Sequence, residues 1–412
     1  MVNLGIIGLG SLWETSYRDA LRSLGSRLRV RAVYDTVHAR AQQVATELEA
    51  DAAGGVLALA GRCDVQAILV LDAGWILPAA LPMLAATGKP LLVAGDPAEN
   101  APWLRQLQED AMKRGQTIVP ALDLRYAPST FRLQELMATR LGRPQEVDLR
   151  LSLSSVMLSP ASSARPGRSL APAASGSPDA GSGGAAAASV ATDRLSLLLN
   201  SGRLMSIADW CRYLLRTPPA EMDAQLITAR ETSAAADKRS RRDKSASETK
   251  AAETEEGTDD EGDVELHIRY TAPRGSSRGA RVSIRLVCAE GPAGQSAESR
   301  PAGGANSQRA LPLLPDGCSY HARITCERGS AVISGSHQIH WSSMDDNSTE
   351  TEEDLRDDQP GQVVMLDHFC RRVVGGLIPV ASIQDVCRSV QFVEAATSSL
   401  STGSAVSFDQ EH

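Results

Sequence analysis

The sequence has no CxxC pair, and its seven cysteines are scattered and odd in number. That excludes an obvious disulfide framework and favours reduced, structural thiols; no metal-ligand spacing is spelled out either, so no metal is expected. No apolar run approaches the length that spans a bilayer. The first residues enter a strand without the basic flank and apolar region of a secretory signal, so cytoplasmic residence is the expectation. Positive charge is not in excess: 42 Lys and Arg face 50 Asp and Glu, for a net charge of −8. A general nucleic-acid or membrane-surface binder is therefore not expected. What the chain does have is length, since 412 residues are enough for two or three domains with sizeable cores.

The most informative stretch lies at the start. Leu4-Gly5-Ile6-Ile7 reads as a buried strand that leads into Gly8-Leu9-Gly10-Ser11-Leu12-Trp13, and Leu28 to Tyr34 reads as a second strand ending in Asp35. This is most of a dinucleotide-binding fingerprint. The first glycine allows a tight turn, the second lets the backbone approach a pyrophosphate, and the following helix N-terminus offers donors to phosphate. Gly8, Gly10, Ser11 and Leu12 are thus candidate cofactor contacts, and Asp35 is placed to accept hydrogen bonds from the adenosine ribose. An acid there disfavours a 2′-phosphate, so NAD is expected over NADP, although Arg40, one helical turn on, weakens that preference. The third glycine of the fingerprint is replaced by Trp13. Trp13, Tyr17, Ala20, Leu21 and Leu24 recur at helical spacing, and Gly25 follows as a C′ residue.

Strand and helix patterns alternate from there to about residue 123. Helices are expected over 37–49, 75–87 and 99–114, and strands over 67–71, 91–94 and 117–119, which is the pattern of a doubly wound parallel sheet. Residues 124–412 change character. A helix over 128–141 is followed by alternating runs at 146–153, 222–229, 264–270, 280–288, 321–326 and 331–334, which predict an open antiparallel sheet. Two helices close the chain, at 363–374 and from Ser382, where Ser382 and Asp385 are spaced as a capping box. The fold class is thus α/β followed by α+β: a Rossmann-type domain over 1–123 and an antiparallel-sheet domain with helices on one face over 124–412. Four polar or low-complexity tracts interrupt the second part, at 159–191, 231–263, 289–310 and 343–361.

The order of several further marks carries a resemblance. Ala86-Thr-Gly88-Lys89-Pro90 precedes a buried strand, and Arg125-Tyr126-Ala-Pro128 and Leu141-Gly142-Arg-Pro144 follow. Arg323 to Val332 centres on Gly329, while Leu366-Asp-His-Phe369 runs to Gly375-Gly376-Leu-Ile-Pro379 before the last helix. In this order they resemble the Gfo/Idh/MocA oxidoreductases, the group of glucose-fructose oxidoreductase and inositol dehydrogenase. The resemblance implies NAD(P)-dependent hydride transfer to or from a hydroxyl or carbonyl of a sugar or polyol. It also implies a dimer or tetramer built through the exposed face of the second sheet, unless the four tracts cover that face.

The group's usual acid/base residues are missing. Where a lysine is expected after the fifth strand, the chain reads Ala94-Gly95-Asp96-Pro97; where a histidine is expected on a later helix stands Ser206, with Asp209 keeping the last acid of that motif. The loop after the fourth strand, Asp72-Ala-Gly74-Trp75, also lacks the common histidine, while Asp72 and Gly74 remain expected to border the cofactor. Asp96 would serve as a general base if burial raised its pKa, Tyr126 as a proton donor, and Asp209 as a group orienting a substrate hydroxyl. Each has a plainer rival: a turn residue, a packing residue and a helix ion pair. Trp13 and Trp75 are expected either to face the cofactor or to be buried against the sheet. Three functions remain open: an oxidoreductase with an altered acid/base set, a catalytically silent NAD-binding protein, and a scaffold without nucleotide. Retention of Gly8, Gly10 and Asp35 counts against the last.

Overall fold

The computed structural model describes residues 1–71, 76–94, 101–154, 202–227, 263–273, 278–289, 319–344 and 350–408. The first part is a six-stranded sheet of β1 (Val2–Ile7), β2 (Leu28–Tyr34), β3 (Asp51–Ala52), β4 (Ala67–Val70), β5 (Leu91–Val93) and β6 (Ile118–Pro120). The strands lie in the order β3-β2-β1-β4-β5-β6, and every pair is parallel. β4 and β5 are short apolar runs buried at every residue, as strands covered on both faces must be. Helices α1 (Arg18–Ser23), α2 (His38–Glu47), α3 (Val56–Ala60), α4 (Ile76–Ala86) and α5 (Ala101–Arg114) supply the cover. The strand order reverses between β1 and β4, which opens a crevice at their carboxyl ends.

Between the two sheets lie a short turn at Asp123–Tyr126 and α6 (Pro128–Leu136), which opens on the predicted proline and continues as a π turn at Met137–Leu141. The second sheet has nine strands: β7 (Pro144–Ser154), β8 (Pro219–Ile227), β9 (Asp263–Tyr270), β10 (Arg281–Ala289), β11 (Ser319–Cys326), β12 (Gly329–Ser334), β13 (Gln338–Ser343), β14 (Thr351–Asp354) and β15 (Val406–Ser407). Its order is β14-β13-β12-β11-β7-β10-β9-β8-β15. The expected antiparallel pairing holds with one exception: β7 and β10 run parallel. Helix α7 (Gly202–Leu215) intervenes between β7 and β8, so β8 returns in the same direction as β7. The β8-β9-β10 meander then brings β10 beside β7 in parallel register.

The tract 159–191, the tract 231–263 up to residue 262 and the tract 289–310 from residue 290 lie outside the described residues. Three boundaries differ from expectation, the first being Ala289, which still belongs to β10. Asp263 already begins β9, where its buried carboxylate meets Arg285 at 2.9 Å. The tract 343–361 contains β14, which pairs with β13 from Gln338↔Asp354 to Trp341↔Thr351. An acidic sequence forms a strand there because its partners are tertiary: Glu353 takes both Arg132, at 2.7 Å, and the Trp341 indole N–H, at 2.7 Å.

Helix α8 (Gly361–Val373) leaves the second sheet and joins the core of the first part. Val363, Met365, Leu366 and Phe369 are buried with Trp13, Tyr17 and Tyr126. Its start passes so close to Tyr126 that a Cβ on Gly361 would lie 2.9 Å from the Tyr126 carbonyl oxygen. Helix α9 (Ile383–Thr402) begins at the capping box, with the Ser382 N–H donating to Asp385 at 2.8 Å, and packs on α7 and β8. Ser382→Ala is expected to lower stability by about 1 kcal/mol in denaturant unfolding. Among the described residues the other face of the sheet is polar, with Asp148, Arg150, His267, Arg269, Arg281 and Arg323 exposed. Among the described residues no helix is long and apolar enough to cross a membrane.

Candidate functional site

The site grows from the end of β1. Gly8 adopts φ 88°, a conformation that disfavours any side chain, and its N–H donates to the Tyr34 carbonyl at 2.9 Å. The turn therefore ties the ends of β1 and β2 together. At Gly10 an added Cβ would meet nothing within 4 Å among the described residues, so none of them blocks a close approach to the backbone there. The chain enters a helix directly after it, with Ser11 exposed and Leu12 half-buried. These features fit a pyrophosphate cradle at a helix N-terminus.

Asp35 completes the arrangement from the end of β2. Its Oδ2 accepts the Leu9 N–H at 2.8 Å and its Oδ1 the Val37 N–H at 2.7 Å. The Arg40 guanidinium lies 3.6 Å from Oδ2. Each carboxylate oxygen keeps acceptor capacity beyond these bonds, so a ribose hydroxyl can still be taken. Sequence alone singles out Asp35 but not its bond to the Leu9 N–H, by which it holds the glycine loop by its backbone.

Trp13 does not line this cradle. It is 0% exposed and packs with Leu9, Tyr17, Tyr126, Leu366 and Phe369. The helix runs through a wide π turn at Trp13–Tyr17 before α1, and the indole fills the space where a glycine would let helix and strand close up. Its Nε1–H is buried without a hydrogen-bond partner among the described residues. Of its two expected fates, burial is the one observed.

The acid/base candidates divide. Asp96 lies outside the described residues, as do Asp72, Gly74 and Trp75. Ser206 is half-buried on α7. Tyr126 is buried, stands edge-on to His368 with ring centroids 5.8 Å apart, and bonds the Ala381 backbone through its hydroxyl. Burial raises its pKa above the usual phenol value.

Asp209 is 1% exposed and fully engaged. The apolar face of α7, formed by Leu204, Ile207, Ala208 and Cys211, holds that helix against the core and carries Asp209 inside with it. There Arg125 grips it with two donors, Nε to Oδ2 at 2.6 Å and Nη2 to Oδ1. Arg212 reaches Oδ1 at 3.1 Å and also bonds Asp385. Arg125 in turn lies 3.3 Å from Asp385 and 5.0 Å over the Tyr213 ring. Burial alone would raise the Asp385 pKa, but Arg125 and Arg212 hold it below the usual carboxylate value. The result is a charge-balanced quartet joining the 123–126 turn, α7 and α9. Reading the sequence found Asp209 and missed Arg125 and Arg212 as its partners, and Asp385 as the second acid that shares them. The 209/212 spacing of i, i+3 was the one local signal.

No protein-family model and no curated protein matches the chain. Solved structures do share its fold. A UDP-N-acetylglucosamine 3-dehydrogenase from Acidithiobacillus ferrooxidans is 13% identical with a TM-score of 0.61, covering 97% of this chain and 98% of that one. A putative myo-inositol dehydrogenase from Sinorhizobium meliloti 1021 is 13% identical with a TM-score of 0.61, covering 99% of both chains. An NAD binding oxidoreductase from Klebsiella pneumoniae is 12% identical with a TM-score of 0.64, covering 100% of this chain and 99% of that one. At such identity the likeness is one of fold, and it extends over both parts of the chain.

Proposed function

We propose that the protein is a divergent Gfo/Idh/MocA-type oxidoreductase that binds NAD(P) at the glycine loop and transfers a hydride to or from a sugar or polyol carbon. The observation that carries this reading is the joined geometry of Gly8, Gly10 and Asp35: a positive-φ turn, an open backbone position, and a buried acid bonded to the same loop. When bound, the nicotinamide supplies the hydride acceptor or donor. The chain's own part is to hold the dinucleotide and to move the hydroxyl proton. Asp96 is the proposed acid/base group, because Tyr126 and Asp209 already have structural partners.

That same engagement favours a second reading, in which the protein binds the cofactor without turning over a substrate. Titration with NADH and NADPH, followed by nicotinamide absorbance over a panel of sugars and polyols, separates the two. Binding with turnover that Asp96→Asn abolishes supports the first; binding with no turnover supports the second. Asp35→Asn is expected to weaken NADH about tenfold or more, since it removes a charged acceptor. Unchanged NADH affinity in that variant would mean that Asp35 serves the loop alone.

A dimer or tetramer through the open face of the second sheet is part of this proposal. Because the exposed charges on that face are mostly basic, among them Arg150, Arg281 and Arg323, two copies meeting through it repel, and assembly should strengthen with added salt in sedimentation measurements.

A further inference from the structure

We propose that the polar face of the second sheet carries a phosphate-binding site, formed by Arg150 of β7 and by His321 and Arg323 of β11, which takes the dianionic group of free phosphate or of a phosphate monoester. The site belongs to the second sheet and not to the glycine loop at the end of β1, so it does not rest on the dinucleotide reading.

Strand register brings the three side chains together. β7 and β11 pair antiparallel with His321 opposite Arg150 and Arg323 opposite Asp148, so Arg323 stands diagonal to Arg150, within reach for side chains of this length. Other arginines on this face are paired: Arg281 meets Glu146 at 3.3 Å, Arg285 meets Asp263 at 2.9 Å, and Arg269 meets Glu221. Arg150 and Arg323 are exposed and have no ion pair among the described residues. Asp148, the acid beside them, takes the Ser283 hydroxyl at 2.6 Å instead. Like charges held side by side on one face of a sheet destabilise it, and a bound dianion removes that cost.

His321 is set for the same ligand. Its Nδ1 lies 3.0 Å from the Ser334 hydroxyl of β12, and in the tautomer that accepts that hydroxyl Nε2 carries a proton to donate. Burial holds its pKa below the usual imidazole value, and Arg323, Arg150 and His340 push it the same way, which places those groups around the ring. His340 stands 3.7 Å from Glu352 of β14. Two guanidinium forks match the oxygens and the double charge of a phosphate, whereas a single carboxylate balances only one of them. A dense polyanion fits less well, because Asp148 and Glu146 share the face.

The test is calorimetric titration of the full-length protein at low salt with inorganic phosphate and with phosphoserine. At least one should bind with a dissociation constant of about 10 mM or tighter, and the tighter of the two tells whether the free anion or the ester fits better. Arg150→Gln and Arg323→Gln should each weaken that binding about tenfold, while Arg281→Gln, which alters a paired arginine of the same face, should change it by less than about threefold. In phosphate-free buffer the Arg150→Gln and Arg323→Gln proteins should unfold at or above the wild-type temperature, since each relieves a like-charge contact. Binding of both probes weaker than about 10 mM overturns the proposal. So does equal weakening by Arg281→Gln, which would mean diffuse charge only, or unchanged binding in Arg150→Gln, which would put the phosphate elsewhere. A lower unfolding temperature in both variants would show that the two arginines already have partners, and overturns it likewise.

Discussion

Trp13→Gly, the substitution that would complete the glycine fingerprint, is expected to destabilise the protein by about 3–5 kcal/mol rather than to improve nucleotide binding. Trp13 is fully buried and belongs to the same apolar core as Leu9, Tyr17, Tyr126, Leu366 and Phe369, so its removal leaves an indole-sized void in that core. The void would be hard to close. The helix already stands off through the π turn at Trp13–Tyr17, and α8 is fixed on its outer side by the Arg27–Asp367 pair at 2.8 Å. Glycine would also loosen the first helical turn by about 1 kcal/mol. Trp13→Phe gives the contrast. It keeps an aromatic ring and removes an N–H that has no partner among the described residues, so it should change stability by less than about 1.5 kcal/mol. Denaturant unfolding with a parallel NADH titration checks both; a stable Trp13→Gly protein would show that the indole is not part of the core.

Asp209→Ala is expected to lower stability by about 3–5 kcal/mol, because it strands two guanidiniums beside a single carboxylate in a buried site. Arg125 and Arg212 would then share Asp385 alone. Asp209→Asn keeps the shape but not the charge and should recover only part of the loss. The Arg125→Ala and Asp209→Ala changes should be strongly non-additive, since each removes the partner of the other. Kinetics separate this role from a catalytic one. If Asp209 oriented a substrate hydroxyl, Asp209→Asn would reduce turnover while leaving unfolding nearly unchanged.

The quartet also sets a pH dependence. Asp385 has a depressed pKa in the folded chain, so its contribution is complete above the unfolded carboxylate value near 4 and is lost as pH falls below that toward the folded value. Acid unfolding of the Asp385→Asn protein should therefore begin with less stability at neutral pH and show a shallower slope below about pH 4 than the wild type.

Much of the architecture was legible because it rests on local periodicity. Apolar runs such as Ala67–Val70 and Leu91–Val93 read as strands covered on both sides, and the order of strands and helices predicts the parallel sheet that is observed. The alternation at 146–153 and 264–270 likewise identifies β7 and β9. The parallel β7–β10 pair was not legible from the strand patterns, since it depends on the crossover through α7 rather than on either strand. Neither was β14, whose acidic sequence has poor strand propensity and is held by Arg132 and Trp341. For the site, the Gly8 and Gly10 spacing and the strand-end position of Asp35 were readable as motif. The rest of the Asp209 quartet was not, because Arg125 and Asp385 lie 84 and 176 positions away in opposite directions along the chain.

By itself the sequence determined the two-part plan, the glycine turn and the acid that meets it, because each follows from neighbours a few residues apart or from one strand and the next. Only the tertiary structure decided that Trp13 is core rather than cofactor lining, that Asp209 belongs to an ion quartet, and that Asp35 is shared between the glycine loop and Arg40. Burial and charge pairing are properties of what surrounds a residue, and those surroundings come from segments that the chain order keeps far apart.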